Sequence, residues 1–195
     1  RLPTEKAVDY TGLTVKVTSS STINVRLIVY SVPSRLIGST LKVHLYDDRV
    51  ELFKGRDFVT SLERAYPEKG SRRGRKIDYR HMIPSLKKKS GAFYGSQLRN
   101  DLFPSENYKK LWEVAESLMI PAQASRWMVG VLDVVTKTQK VEEVASILLK
   151  NYEEKQELME LVRLEEEFKT VPKATVNINA TQHLLSSYDE LLRGE

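Results

Sequence analysis

Three histidines, His44, His81 and His183, are the natural starting point for chemistry in this chain. None has a second histidine or a carboxylate at a metal-ligand spacing, and there is no cysteine to complete a zinc site. The adjacent carboxylates Asp47 and Asp48, with Glu51 close by, are the one set that invites a divalent cation of the kind used in polynucleotidyl transfer. An Asp-Asp pair between two alternating apolar runs is also ordinary hairpin chemistry, and that is the better account of it. Tyr79-Arg80-His81 suggests a tyrosine that attacks DNA, but no cluster of arginines follows to hold the phosphate. Nucleophile elbows, Walker loops and dinucleotide fingerprints are missing. These residues predict a binding module and no catalytic centre.

The basic residues are more informative. Residues 1–110 carry 22 Lys/Arg against 11 Asp/Glu, whereas residues 111–195 carry 9 against 15. The net charge of +5 therefore hides a half at +11 and a half at −6. Two runs stand out: Arg72, Arg73, Arg75, Lys76 and Arg80, then Lys87, Lys88 and Lys89. These eight side chains are the candidate DNA-binding residues. They would act as phosphate contacts that release counterions and position a duplex without reading its bases. The competing reading is a merely solvated basic face. Trp112 and Trp127 fall at helical core positions, and Tyr79, Phe93 and Tyr94 are better explained by packing than by stacking on bases.

Elements must hold these side chains. Leu13, Val15 and Val17 alternate with polar residues, as do Leu41, Val43 and Leu45. Between them Ile23–Val32 reads as one long β-branched strand after the SSST turn. Asp47-Asp48 and Lys54-Gly55 mark further turns, and Phe58, Val59 and Leu62 a further strand. Five or six short strands with turns about every ten residues indicate a small all-β barrel or sandwich. Residues 66–76 read as a basic loop, Ile77–Arg80 as a short strand, and a short helix follows with Pro84 in its first turn. From Ser105 the period becomes 3.6, with helices predicted over 105–118, from Pro121, over 140–151 and over 155–168. The expected fold is α+β by segregation. A barrel occupies residues 1–76, a basic junction 77–104, a helical bundle 105–170 and a tail 171–195, in which 183–192 is a short amphipathic segment. No apolar run approaches the roughly 18–20 residues that cross a bilayer. The lack of cysteine suits a reducing cytosol, and Arg1 in place of methionine points to a piece of a longer chain.

Several stretches resemble a known family. YSVPSRLIGSTLKVHLYDDRVELFKG (30–55), IDYRHMIPSLKKKSGAF (77–93), LRNDLFPSENYKKLWE (98–113), MVGVLDVVTK (128–137) and VEEVASILL (141–149) are similar, in order, to the C-terminal part of bacterial IstA-type insertion-sequence transposases, which are Mu-transposase-like DDE enzymes. The resemblance covers residues 13 to 168. It departs at Lys89-Ser90-Gly91, where the family often has proline, and it does not reach the tail. It implies that helix-turn-helix units and an RNase H-like catalytic domain using Mg²⁺ lie upstream of this segment, which itself holds no cofactor. It also implies work on DNA with an IstB-type AAA+ ATPase and other protomers, in the bacterial cytoplasm at the nucleoid. The alternatives left by the residues themselves are a basic barrel that binds RNA and a pure protein scaffold.

Overall fold

The computed structural model describes residues 9–67, 70 and 72–169. The tail with His183 and its amphipathic segment, and residues 1–8 of the lead-in, lie outside the described residues. The chain is α+β by segregation, with strands first and helices after. Seven strands form among the described residues: β1 (Thr11–Lys16), β2 (Thr22–Val25), β3 (Ile28–Ser31), β4 (Thr40–Leu45), β5 (Arg49–Lys54), β6 (Asp57–Glu63) and β7 (Gly74–Lys76). They make an antiparallel sheet in the order β1-β4-β5-β6 and a second sheet in the order β2-β3-β7. Among the described residues the hydrogen bonding does not close into a barrel. The chain passes between the sheets at Val17–Ser21, where the N–H of Val17 donates to Ser39 O and that of Val32 donates to Ser21 O.

The alternation seen in the sequence sets the inner faces. Leu41, Val43 and Leu45 of β4 and Val50 and Leu52 of β5 are buried, together with Val17, Ile23, Val25, Ile28 and Tyr30. The Tyr30 phenol accepts the N–H of Ala65 at 2.9 Å and so ties the end of the first sheet to the second. The expected single strand over 23–32 is instead a hairpin. Val25 pairs with Ile28, and Arg26 turns with φ +55°. Hairpin turns of this length are usually marked by Gly, Asn or Asp. Arg26-Leu27 carries no such mark, so the turn is imposed by burying Ile23, Val25, Ile28 and Tyr30 together. By contrast, Gly55 at φ +67° turns β5 into β6 where glycine announces it.

Among the described residues five helices follow: α1 (Tyr79–Lys88), α2 (Glu106–Leu118), α3 (Pro121–Thr138), α4 (Val141–Lys155) and α5 (Leu161–Glu167). The strand expected at 77–80 lies three residues earlier, as β7. Asp78 then caps α1, its Oδ1 accepting the N–H of Arg80 at 3.0 Å. Pro84 therefore falls in the middle of α1, exposed to solvent, and not in its first turn. Met82, Ile83 and Leu86 of α1, with Phe93 and Leu102 of the following 3-10 turns, belong to the same core as α2–α5. Helix α3 is the centre of that core; its Trp127 Nε1 donates to Met159 O at 2.9 Å. That bond, and Asn151 Nδ2 donating to Glu157 O at 3.0 Å, hold residues 156–160 as a connection. The helix expected from 155 accordingly starts at Leu161.

Helix α5 reaches α3 through a glycine. A Cβ at Gly130 would lie 2.4 Å from Leu161 Cδ1 and 2.8 Å from its Cδ2. Gly130→Val is expected to cost about 1–3 kcal/mol by overpacking, read as a lower urea midpoint at unchanged slope. Part of that loss should return in Gly130→Val/Leu161→Ala. An equal loss in the single and double variants would show that Leu161 is not what excludes the larger side chain.

Candidate nucleic-acid interface

The two cores meet at one polar knot. Ser31, at the end of β3, is 2 % exposed. Its Oγ accepts the N–H of Asp78 at 2.7 Å and lies 3.0 Å from His81 Nδ1, which is also 3.1 Å from the carbonyl of Ser31. Asp78 caps α1 and takes the Arg80 guanidinium on both carboxylate oxygens, at 2.9 Å from Nε and 2.7 Å from Nη2. Burial alone would raise the Asp78 pKa, but the hydrogen bonds from Arg80 outweigh it and hold the carboxyl below its usual value. Burial pushes His81 below its ordinary value, against the opposing pull of the Asp78 carboxylate.

From this knot the basic residues radiate, and the structure separates them. Strand β7 runs parallel to β3, with Arg75 opposite Val29 and Lys76 opposite Tyr30. Gly74 permits this approach, since a Cβ there would lie 2.7 Å from Ile28 Cδ1. Strand alternation sends Arg75 and Lys76 to opposite faces. Arg75 Nη1 contacts Asp101 at 3.0 Å and the carbonyl of Gln97 at 3.3 Å. Lys76 pairs with Glu63, and Arg80 with Asp78. Lys87 reaches across to α3, where Asp133 accepts it at 2.7 Å and Lys137 at 2.7 Å. Burial would raise Asp133, but its bonds from Lys137 and Lys87 hold it low. Arg72 and Arg73 are exposed ahead of β7. Lys88 and Lys89, at the end of α1, are exposed and make no ion pair with any described residue. Of the eight, Arg75, Lys76, Arg80 and Lys87 are thus anchored to carboxylates.

Two clefts flank β7 and α1, and they differ in charge. One, of about 520 Å³, presents Lys76 and Arg80 against three carboxylates, Glu63, Asp78 and Asp101, so its cations are offset within it. The other, of about 740 Å³, lies between the Thr18–Asn24 segment on one side and α1 with the 3-10 turns on the other. Arg75 and Lys89 line it with the hydroxyls of Thr18, Ser19, Ser20, Thr22, Ser85 and Ser96, and no described carboxylate does. Cations joined by hydroxyl and amide donors, without an acid, are the groups that bind phosphate oxygens. From sequence, residues 19–22 read as a plain turn. Their hydroxyl density was visible, but the helix opposite them lies much further along the chain.

The carboxylates that first suggested a metal sit elsewhere. Asp47 and Asp48 form the β4–β5 turn, Asp47 pairing with Arg64 at 3.3 Å and Asp48 with Arg49 at 3.0 Å. Glu51 accepts Arg49 Nε at 2.8 Å. With both arginines occupying them, these groups do not fit a divalent-cation site. Tyr79 and Phe93 pack into the helical core, as expected of them.

With this geometry in view, comparison with known proteins bears on the class. Residues 2–73 match the family described as Mu transposase, C-terminal domain. This supports a Mu-transposase-like C-terminal domain over the strand-rich half. An uncharacterized protein of Sinorhizobium fredii is 28 % identical over 191 residues, covering 98 % of this chain and 38 % of the relative. The chain thus spans well under half the length of that relative. No solved structure matches. Among the described residues no helix is long and apolar enough to cross a membrane.

The knot carries its own test. His81 has a folded-state pKa below its ordinary 6.5, so between the two values the unfolded chain binds the extra proton. Stability from this group is fully present above about pH 6.5 and is lost as pH falls below it. Urea unfolding at pH 7.5, 6.5 and 5.5 should show this decline, and His81→Gln should flatten it across that window. The same slope in both proteins would assign the effect to another group.

Proposed function

We propose that this chain is the C-terminal, non-catalytic part of a DDE transposase of the IstA type. In that reading it grips the DNA backbone and supports assembly of the transposition complex. The observation that carries it is the carboxylate-free cleft of hydroxyls, amides, Arg75 and Lys89 beside the unpaired Lys88. The other cleft sets carboxylates against its cations, so of the two it is this one that is suited to a polyanion. The match of the strand-rich half to the Mu transposase C-terminal domain supports the setting. Cutting and joining, with Mg²⁺, would belong to an upstream catalytic domain of the parent protein. The acidic helical half would meet protein, either an IstB-type AAA+ ATPase or another protomer.

Fluorescence anisotropy of the whole chain with a labelled duplex at two salt concentrations tests the grip. Binding should weaken steeply with salt. Lys88→Glu/Lys89→Glu should lower affinity about ten-fold or more, and neutralising each phosphate contact should reduce the salt slope by about 1. Lys76→Glu, in the other cleft, should have a much smaller effect. An equal loss from Lys76→Glu would refute the choice of cleft, and no binding at low salt would refute the grip itself.

Asp133→Asn offers an independent check. It releases Lys87 and Lys137 from a buried carboxylate. Duplex affinity should rise, most visibly at low salt, while the melting temperature falls. Unchanged affinity would mean that Lys87 does not face the duplex.

A further inference from the structure

The first sheet has an outer face that neither the core nor the cleft uses. Its register places Gly12 beside His44, and Lys42 beside Phe53, which in turn faces Phe58. Gly12 leaves room for the Tyr10 ring, whose Cε2 would lie 4.0 Å from a Cβ there. Tyr10 stacks on His44 with centroids 3.8 Å apart and planes 17° from parallel. His44 meets Phe53 at 4.5 Å, and Phe53 meets Phe58 edge-on at 5.6 Å. Four rings therefore run as one chain across the sheet from β1 to β6, and Phe58 is 59 % exposed. Tyr10, His44 and Phe53 half-bury one another, as cross-strand ring pairs do, whereas Phe58 ends the row in solvent and extends it into an apolar edge of the kind that takes a binding partner.

The charges around the rings select the occupant. Lys42 lies in the same row as Phe53 and Phe58, and Lys16 projects from the same face of β1. Lys54 and Arg56 flank the hairpin beside Phe58. None of these four makes an ion pair with a described residue, whereas Glu51 on this face is held by Arg49. Asp57 is the acidic residue of the hairpin. A depression of about 260 Å³ opens between Tyr10, Thr14, Lys42 and His44. Lysine is depleted at the centre of protein–protein interfaces, so a lysine among the rings argues against a protein partner. Rings that stack bases, with cations that follow a phosphate chain, are the two parts of a single-strand platform. A duplex has its base faces already stacked and cannot use the rings.

We infer that the outer face of the β1-β4-β5-β6 sheet binds single-stranded DNA, stacking unpaired bases on Tyr10 and Phe58, the two end rings of the row, while Lys16 and Lys42 hold its phosphates. The inference rests on the DNA-engagement reading but uses a different surface from the cleft.

The test uses the whole chain and a labelled twelve-nucleotide oligo-dT, with an equal-length duplex and oligo-U RNA alongside. Phe58→Ala and Tyr10→Ala should each weaken oligo-dT binding about ten-fold and leave duplex binding and the melting temperature unchanged. Phe58→Trp should bind normally, and the indole emission it adds to that of the wild-type chain should be quenched by oligo-dT. Lys88→Glu/Lys89→Glu should do the reverse of the alanine variants, losing duplex and keeping oligo-dT. Intact duplex binding with oligo-dT affinity indifferent to Phe58 and Tyr10, or added emission in Phe58→Trp that oligo-dT leaves unquenched, would overturn this inference alone. Binding of oligo-U tighter than oligo-dT would overturn the assignment to DNA. Failure of the wild-type chain to bind either DNA form would overturn this inference together with the reading beneath it.

Discussion

Everything placed on the basic side of this molecule depends on how one serine is buried. Ser31 ends β3, and its hydroxyl receives the N–H of Asp78 at the point where the strands give way to the helices. A buried hydroxyl left without partners is costly, so Asp78 and His81 are fixed as firmly as Ser31 is. Once Asp78 is fixed, the axis of α1 is fixed, because Asp78 is its cap. Lys88 and Lys89 at the far end of α1, and Arg75 three residues before the cap, then have little freedom in where their backbones lie. The two hydrophobic clusters are separate, and this polar joint ties one to the other where β3 meets α1.

Charge pairing refines the result. In sequence the eight basic residues form two runs of equal standing. In space, carboxylates both near and distant in sequence have sorted them. Asp133 from α3 takes Lys87, Glu63 from β6 takes Lys76, Asp101 takes Arg75 in part, and Asp78 takes Arg80. An anchored cation positions structure and still contributes field, while Lys88 and Lys89 remain available for direct contact. The two clefts differ for the same reason: acids gather on one side of β7 and hydroxyls on the other.

Much of the fold was legible because burial follows period. Alternation at Leu41–Leu45 and the 3.6-residue spacing of Leu111, Ala115 and their neighbours mark strands and helices correctly. The misses have common causes. The Arg26-Leu27 hairpin lacks a turn residue, and the connection at 156–160 looks helical because its breaker is a tertiary bond from Trp127. Closure was expected from strand number, yet closure depends on edges meeting, which strand patterns do not encode. Of the candidate interface, the residue types were visible and their partners were not. The ring row was invisible for a related reason: Tyr10, His44, Phe53 and Phe58 come from four separate segments, and only the register of three strand pairs aligns them.

The joint has a temporal side as well. Asp78 and His81 reach Ser31 across 47 and 50 residues of chain, whereas the hairpins β2–β3, β4–β5 and β5–β6 and the helix pairs close over short loops. Loop-closure entropy favours the short ones first. During synthesis β3 emerges long before β7 and α1, so its outer edge stays unpaired through much of translation. An edge made of Ile28, Val29 and Tyr30 is a template for other chains for as long as it has no partner. The arrival of Gly74–Lys76 therefore closes a window of exposure as well as completing the sheet.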